Sequence, residues 1–479
     1  MAYIYNEVKV PMGYSMSREQ KRARINLLRK VIAILFVLCV ILFVADIVCA
    51  IILIARGGKS KKSSSTTTTA TTVATSGIDP SGSSENEGSS EPTDTTPAPG
   101  IEVKEYLPEN ALAESYWGPL PAVTEVKPVK HNEVHGIYVA AAAHMDENIA
   151  LANSSDVNAF VVDLKDEANG ILFNSNNEFA KSMTLYSYSR DKETGAETWT
   201  EKGNYISNCY NLDDVVKRCH ENDIKVIGRI VCFNDISLAK NHPEMSIQDS
   251  SGNTMRFKLE GYHMFVNPYN SESWDFIIDI ALEAIERGVD EIQFDYVRFP
   301  TISTKSGESP YFGPEDSTPT RIDAINRFLQ TARRRIQDPT GIPVTADVFG
   351  IILSSELDGK LIGQGWSTVG LTGIDAVCPM LYPSHYATNT VLNGKNFDYP
   401  DLYPRDVMYN ALIAGKEAAS AEGFATVRPY VQAFTATWVT NHLNYKVPEV
   451  KAQIQAINDA GYSEWILWNA AGNYTNRYE

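Results

Sequence analysis

Cysteine is scarce in this sequence, with six residues among 479. Two of them, Cys39 and Cys49, fall within one long apolar run. The other four are Cys209, Cys219, Cys232 and Cys378. Their spacing matches no common zinc-binding signature, and so few cysteines argue against a fold held together by a disulfide framework, although a single bridge stays open.

Several sequence signatures of catalysis are absent as well. The eight histidines include no His-x-His or His-Glu-x-x-His pattern, which disfavours metal-dependent hydrolysis. No Gly-x-Ser-x-Gly elbow occurs, which argues against a serine hydrolase of that type. No glycine-rich turn follows the first apolar run of the main domain, which argues against a dinucleotide-binding fold. We therefore expect neither a metal nor a cofactor.

Positive charge is sparse outside the first part of the chain. Residues 1–62 contain 11 Lys and Arg against 3 Asp and Glu, a net charge of +8. Because the whole chain carries −17, residues 63–479 carry −25. Phosphate groups are bound by Lys and Arg, so this acidic part argues against nucleic acid or anionic lipid as its partner.

Residues 31–55 form an almost wholly apolar run that only Asp46 interrupts. A run of about 20 apolar residues spans a bilayer as a helix. Basic residues are more numerous before the run than after it, which predicts a cytoplasmic tail over residues 1–30. We interpret the chain as a single-pass protein of the cell membrane with its main domain outside the cell. Asp46 either is tolerated in a strongly apolar helix, which we favour, or marks a functional contact.

Residues 56–130 are predicted to connect this membrane helix to the main domain. Residues 57–99 are rich in Ser, Thr, Gly and Pro and contain too few apolar residues to bury a core, which predicts a disordered tether. Residues 101–130 are less polar and include several aromatic residues. We expect them to form an extended lead-in that packs on the domain.

Eight short apolar runs alternate with helical patterns between residues 131 and 479. The runs are residues 137–142, 159–164, 225–231, 291–299, 343–349, 376–382, 427–433 and 465–469. Eight strands separated by helices are typical of an α/β protein with a (β/α)₈ TIM barrel, and an open doubly wound sheet is the disfavoured alternative. The longest inserts follow the second, fourth and sixth runs, on the carboxyl face where barrel active sites lie.

Two aspartates at this face are the candidate catalytic pair. In the fourth run, Gln293, Asp295 and Val297 alternate toward one side, and Asp347 follows the same inward alternation in the fifth run. Glycoside hydrolysis needs one ionised and one protonated carboxyl group on either side of the scissile bond. We therefore predict Asp295 as nucleophile or base and Asp347 as general acid. The alternative is that Asp295 forms an ion pair with Arg298 that only pins a loop.

Other polar and aromatic side chains at the same face are predicted to bind the substrate. They are Asp163, Arg229, Arg298, Tyr382, His385, Gln432, Trp468 and Asn469. Arg229 and Arg298 would favour the ionised form of one carboxylate. The uncharged members would hold sugar hydroxyls and ring faces.

Five sequence runs at or near the predicted strands resemble a known family. They are His135-Gly-Ile-Tyr-Val, Val161-Val-Asp-Leu-Lys-Asp, Asp290-Glu-Ile-Gln-Phe-Asp-Tyr-Val-Arg-Phe-Pro, Thr345-Ala-Asp-Val-Phe-Gly and Pro379-Met-Leu-Tyr-Pro-Ser-His-Tyr. Together they resemble the putative glycoside hydrolase domain of bacterial surface proteins, over residues 131–479. The resemblance implies a glycosidase-type barrel and leaves its substrate open.

The sequence is also similar to the patterns of two other enzyme groups, but it departs from each of them at one or more positions. The placement of Asp295 and Asp347 is similar to that of the catalytic acids in α-amylase-like enzymes, which carry Glu rather than Asp on the fifth strand. The fourth run is similar to the chitinase pattern Asp-x-x-Asp-x-Asp-x-Glu, but Val297 stands where that pattern has its essential Glu. We therefore do not expect chitinase activity.

The sequence as a whole predicts a membrane-anchored, extracellular glycoside hydrolase. Its substrate would be a cell-surface or extracellular polysaccharide. A glycan-binding barrel without catalytic activity is the alternative, and it would show two isolated acids instead of a converging pair. The sugar, the linkage and the stereochemical outcome stay open, because the outcome depends on how far apart the two carboxyl groups lie.

Overall fold

The computed structural model of the protein describes residues 116–191, 193–313 and 316–478. The predicted cytoplasmic tail (1–30), the predicted membrane helix (31–55) and the linker as far as residue 115 lie outside the described residues. Within the described ranges, no helix combines the length and the apolarity needed to cross a bilayer.

Eight parallel strands close into a barrel. They are β1 (His135–Val139), β2 (Ala159–Asp166), β3 (Lys225–Val231), β4 (Glu291–Asp295), β5 (Val344–Phe349), β6 (Ala376–Met380), β7 (Tyr430–Gln432) and β8 (Trp465–Trp468). Each strand pairs with the next in chain order, and β8 pairs with β1. The prediction of a TIM barrel is confirmed, and the open sheet is excluded because no edge remains between β1 and β8.

One main helix lies in each of the seven connections between consecutive strands. The helices are α1 (Met145–Ser154), α2 (Leu212–His220), α3 (Ser271–Glu286), α4 (Thr318–Ala332), α5 (Glu356–Ile362), α6 (Pro404–Ala419) and α7 (Val447–Asp459). Shorter helices cover Glu178–Lys181, Ile236–Asn241, Asp338–Thr340 and Trp366–Val369, and α4 continues into a π-helical turn at Arg333–Gln337.

Helix α3, which leads into β4, shows how the sequence sets these bounds. The side chain of Asn270 accepts hydrogen bonds from the backbone N–H groups of Glu272 and Ser273, which caps the start of the helix. The apolar face of α3 is buried against the barrel. Gly288 follows the helix with φ of 94°, a conformation that glycine adopts without strain, and the chain then turns into β4.

The apolar core has two parts. A large cluster fills the space between the strands and the surrounding helices. A smaller cluster lies inside the barrel, and its buried members are Val134, Tyr138, Ala159, Val161, Ile227, Cys378, Met380, Tyr382, Tyr430 and Ile466. Polar side chains share this interior, because Gln293 of β4 bonds to Cys378 and to Tyr430 across the barrel.

The fourth strand is shorter than the sequence predicts. It ends at Asp295 rather than at residue 299, because Tyr296 adopts a left-handed conformation with φ of 48°. The break ends the strict alternation, so Val297 packs in the outer cluster instead of following Asp295 into the barrel. The prediction that Val297 faces inward is therefore wrong, while the inward parity of Gln293 and Asp295 is confirmed by their partners inside the barrel.

The connections at the carboxyl face carry additional structure. The insert after β2 contains a hairpin of Thr184–Arg190 with Glu197–Asn204, and the insert after β6 contains a hairpin of Thr390–Leu392 with Lys395–Phe397. The connection after β3, residues 232–270, is also long, which the sequence reading did not anticipate. Its short bridges and turns lack the alternation by which strands are recognised.

Candidate active site

Asp295 and Asp347 lie side by side at the carboxyl end of the barrel. Phe294 of β4 pairs with Ala346 of β5, so the next residue on each strand is one of the two aspartates. Neighbouring strands are about 4.8 Å apart, which brings the two side chains together over the barrel interior. Both are buried, with 4% of Asp295 and 1% of Asp347 exposed. The two predicted acids therefore lie on neighbouring strands at the same end of the barrel.

Arg229 of β3 connects Asp295 to a second carboxylate. Its Nε and Nη2 donate to Oδ2 of Asp295 at 3.0 and 2.5 Å, and its Nη1 donates to Oδ1 of Asp163 at 2.5 Å. The other oxygen of Asp295 accepts the backbone N–H of Tyr296 at 2.6 Å. Three N–H groups thus point at the Asp295 carboxylate, an arrangement that suits an ionised group.

Asp347 has a poorer environment for a negative charge. Its Oδ2 accepts from the Tyr430 hydroxyl at 3.3 Å, and its Oδ1 has no hydrogen-bond partner among the described residues. The Tyr430 hydroxyl is also closer to Oε1 of Gln293, at 2.7 Å, and it has only one proton to donate. Burial, together with the negative charge of Asp295, raises the pKa of Asp347 well above its usual range. Asp347 is thus suited to carry a proton.

Asp163 of β2 is the second carboxylate that Arg229 contacts. One of its oxygens is bonded to Arg229 and the other accepts the hydroxyl of Tyr138. Burial raises the pKa of Asp163, although Arg229 and Tyr138 oppose this shift. Since both oxygens are occupied within the protein, the side chain fixes the position of Arg229. Its predicted contact with a substrate stays a prediction.

Aromatic side chains form the opposite wall of the mouth. Trp468 is half-buried, stacks on Tyr138 with ring centroids 4.0 Å apart, and lies 5.5 Å from the guanidinium of Arg229. Tyr382 is buried, and burial, followed by the negative charges of Asp347 and Asp295, raises its pKa. Its hydroxyl has no partner among the described residues.

His385 also lies on this wall. Its ring is 5.0 Å from that of Tyr382, and its Nδ1 lies 3.1 Å from the hydroxyl of Ser384. His385 and the two wall residues Tyr382 and Trp468 are thus brought to one side of the mouth, as the sequence predicts.

Three other residues that were predicted to bind the substrate form hydrogen bonds within the protein. Arg298 is 1% exposed and donates from both Nη atoms to Glu260 at 2.9 Å, so the alternative of an Asp295–Arg298 ion pair is wrong. The amide of Gln432 is fully buried, donates to Asp401 and to the Phe434 carbonyl, and accepts the N–H of Ser384. Asn469 bonds within its own turn. Their predicted roles in substrate binding stay untested.

Sequence reasoning missed Tyr138, Tyr430 and Glu260. Tyr430 follows the same inward alternation as Gln432 on β7, a signal that could have found it. Glu260 lies in the irregular connection after β3, where no periodicity indicates its direction. Among the residues described, no group of three or more His, Cys, Asp or Glu side chains is placed to hold a metal ion.

A family model described as a putative glycosyl hydrolase domain matches residues 134–474. No curated protein matches the chain.

Among solved structures, a hypothetical protein from Ruminiclostridium thermocellum is 31% identical over 44% of this chain and 97% of its own, with a TM-score of 0.36. The PgaB (BpsB) glycoside hydrolase domain from Bordetella bronchiseptica is 11% identical over 72% of this chain and 95% of its own, with a TM-score of 0.47. An alpha-galactosidase from Thermus thermophilus is 9% identical over 74% and 60%, with a TM-score of 0.41.

Proposed function

The chain belongs to the putative glycosyl hydrolase domain family through residues 134–474, and on this premise we propose that it is a glycoside hydrolase acting on a cell-surface or extracellular polysaccharide. The observation that carries the proposal is the contrast within one adjacent pair. Asp295 is surrounded by N–H donors, whereas Asp347 is buried with a raised pKa. Glycosidic bond cleavage uses this combination of an ionised and a protonated carboxyl group.

In the proposed reaction, Asp347 gives its proton to the glycosidic oxygen as the bond to the anomeric carbon breaks. An oxygen of Asp295 forms a bond to that carbon, and the leaving sugar departs with the proton. The Asp347 carboxylate then takes a proton from water, whose oxygen displaces Asp295 from the sugar. Arg229 stays bonded to the Asp295 carboxylate and limits its movement.

We propose retention of configuration because the two acids are neighbours on adjacent strands. Retaining enzymes hold their carboxyl groups about 5–5.5 Å apart, whereas inverting enzymes need about 6.5–9.5 Å to admit a water. Strands about 4.8 Å apart favour the shorter separation.

The test is a hydrolysis screen of the full-length protein against purified cell-wall and capsular glycans. New reducing ends would be measured, with the Asp295→Asn/Asp347→Asn double variant as the matched control. Proton NMR of the first product formed would then report its anomeric configuration. Hydrolysis by the wild type alone with retained configuration is the expected result. Glycan binding without hydrolysis by either protein would instead favour a non-catalytic glycan-binding barrel.

We also propose that residues 31–55 anchor the protein in the cell membrane, with residues 1–30 in the cytoplasm and the barrel outside. The support is the length of the apolar run and the excess of basic residues before it. Protease added to intact cells should release the barrel by cutting within residues 57–100. A barrel that is cleaved away only after the membrane is disrupted would contradict this orientation.

A further inference from the structure

An aromatic pair on the loop after β7 lies outside the site described so far. Trp438 is 39% exposed and stacks on Phe434, with ring centroids 6.0 Å apart and planes at 15°. Phe434 is half-buried, and its ring lies 5.7 Å from that of Tyr382 and 6.3 Å from that of His385. The pair therefore extends the aromatic wall of the barrel mouth outward to the protein surface.

Hydrogen bonds to buried side chains hold the loop that carries this pair. The buried carboxylate of Asp401 accepts from Nε2 of Gln432 and from the backbone N–H of Leu443, both at 3.0 Å. Nε2 of Gln432 also donates to the carbonyl of Phe434 at 3.2 Å. A loop clamped at both ends in this way presents its rings in one orientation, so little conformational freedom is lost when something binds to them.

We propose that Phe434 and Trp438 form a second sugar-binding subsite, which takes a pyranose ring from the leaving-group part of a polysaccharide chain. The proposal rests on the glycosidase function proposed above. A partly exposed indole ring on a hydrogen-bonded loop next to the mouth suits the flat C–H face of a sugar ring. Neither ring carries a charge, so the subsite would select for shape and for chain length.

The position of the pair relative to the two acids assigns the side of the bond that it serves. Tyr382 lies two residues after β6, the neighbour of the strand that carries Asp347, and the Phe434 ring contacts that of Tyr382. Arg229 lies on the other side, beside Asp295. Because the general acid protonates the oxygen of the leaving sugar, that sugar lies on the side of Asp347.

The test measures binding to the full-length Asp295→Asn variant by calorimetry. The probes are cellohexaose, maltohexaose and chitohexaose, each compared with its own disaccharide. We expect at least one hexaose to bind more tightly than its disaccharide. Adding Trp438→Ala should weaken binding of that hexaose by about threefold to tenfold, leave its disaccharide unchanged, and be largely rescued by Trp438→Phe.

Tyr403→Ala serves as the matched control. Tyr403 is as exposed as Trp438, but its ring contacts Phe397 and not the aromatic residues of the barrel mouth. Equal hexaose affinity with and without Trp438→Ala would overturn the subsite. So would the absence of any preference for a hexaose over its disaccharide. Binding that depends on Trp438 in a protein that hydrolyses no glycan would refute the catalytic proposal alone and leave the subsite standing.

Discussion

At the amino end of the barrel, the fully buried carboxylate of Glu291 accepts three hydrogen bonds, whereas at the carboxyl end the equally buried Asp347 accepts one. The donors to Glu291 are Arg428 at 2.5 Å, Lys225 at 2.6 Å and Thr345 at 3.1 Å. Both acids lie inside the same barrel, only a few residues apart along adjacent strands. The difference between them is therefore one of partners and not of burial.

The partners of each acid set the direction in which its pKa shifts. Burial raises the pKa of Glu291, but Arg428 and Lys225 outweigh it and lower the pKa to about 2. For Asp347, burial and the charge of Asp295 act in the same direction and raise the pKa. An acid whose pKa is lowered by its partners stays ionised and has no proton to donate. An acid with an unpaired oxygen costs stability but can exchange a proton with a substrate.

The amino-end network also joins parts of the chain that are far apart. Arg428 donates to Glu464 as well as to Glu291, and Glu464 lies 2.8 Å from His131 at the entry to β1. The network thus ties β4, the start of β7, the start of β8 and the lead-in together beneath the barrel. A conservative substitution at the carboxyl end should lower activity and leave stability nearly unchanged. One at the amino end should lower stability and leave activity nearly unchanged.

The largest effect is expected from Asp295→Asn. The substitution preserves shape but removes the negative charge that the transition state needs, so kcat on a confirmed substrate should fall by about 1,000-fold. The free energy of unfolding should change little, because Arg229 keeps its bond to Asp163. Steady-state kinetics and denaturant unfolding of the same preparation measure both. Wild-type turnover would refute the assignment of Asp295.

Glu291→Gln should show the reverse pattern. It removes the carboxylate that pairs with both Lys225 and Arg428 and leaves Arg428 with Glu464 alone, which costs about 3–5 kcal/mol of unfolding free energy. Below the melting temperature kcat should stay within about twofold of wild type, because the proposed catalytic pair lies at the opposite end. Urea unfolding and kinetics at low temperature test this. A loss of less than about 1 kcal/mol would show that the amino-end network does not hold the barrel together.

The pH dependence of stability should separate the two acids by sign. The native pKa of Glu291 is below its unfolded value, so its contribution is present above about pH 4.5 and disappears as the pH falls toward 2. The native pKa of Asp347 is raised, so the folded protein loses stability as the pH rises from the unfolded pKa toward the native one.

Compared with wild type, Asp347→Asn should therefore become relatively more stable as the pH rises above about 4, by about 1.4 kcal/mol for each unit of raised pKa. Glu291→Gln should lose its stability deficit as the pH falls from about 4.5 to 2. Denaturant unfolding measured at several pH values gives both curves. Parallel curves for the two variants would contradict the contrast between the two ends.

The smallest effect concerns the aromatic wall. Trp468→Ala should weaken binding of a confirmed glycan by about threefold to tenfold while the unfolding free energy falls only modestly, because the ring is half-buried at the mouth. Trp468→Phe is the control that keeps a ring over Tyr138. A loss of stability with unchanged glycan affinity would show that Trp468 belongs to the core and not to the site.

Much of the fold and part of the site could be predicted from the sequence. The eight strands follow from apolar runs and helical patterns, which are local signals. The inward direction of Asp295 and Asp347 follows from the period of two within a strand, and their convergence follows because adjacent strands of a barrel end at one face.

The partners of those side chains were decided only by the tertiary structure. Arg298 pairs with Glu260 across 38 positions of sequence, and Tyr430 reaches Gln293 across 137. The turn at Tyr296 redirects Val297 within a stretch whose alternation looks continuous. The sequence by itself determined which residues form strands and which way Asp295 and Asp347 point, because those depend on near neighbours along the chain. Which acid is paired and which is left to hold a proton depends on side chains that meet only when the barrel closes.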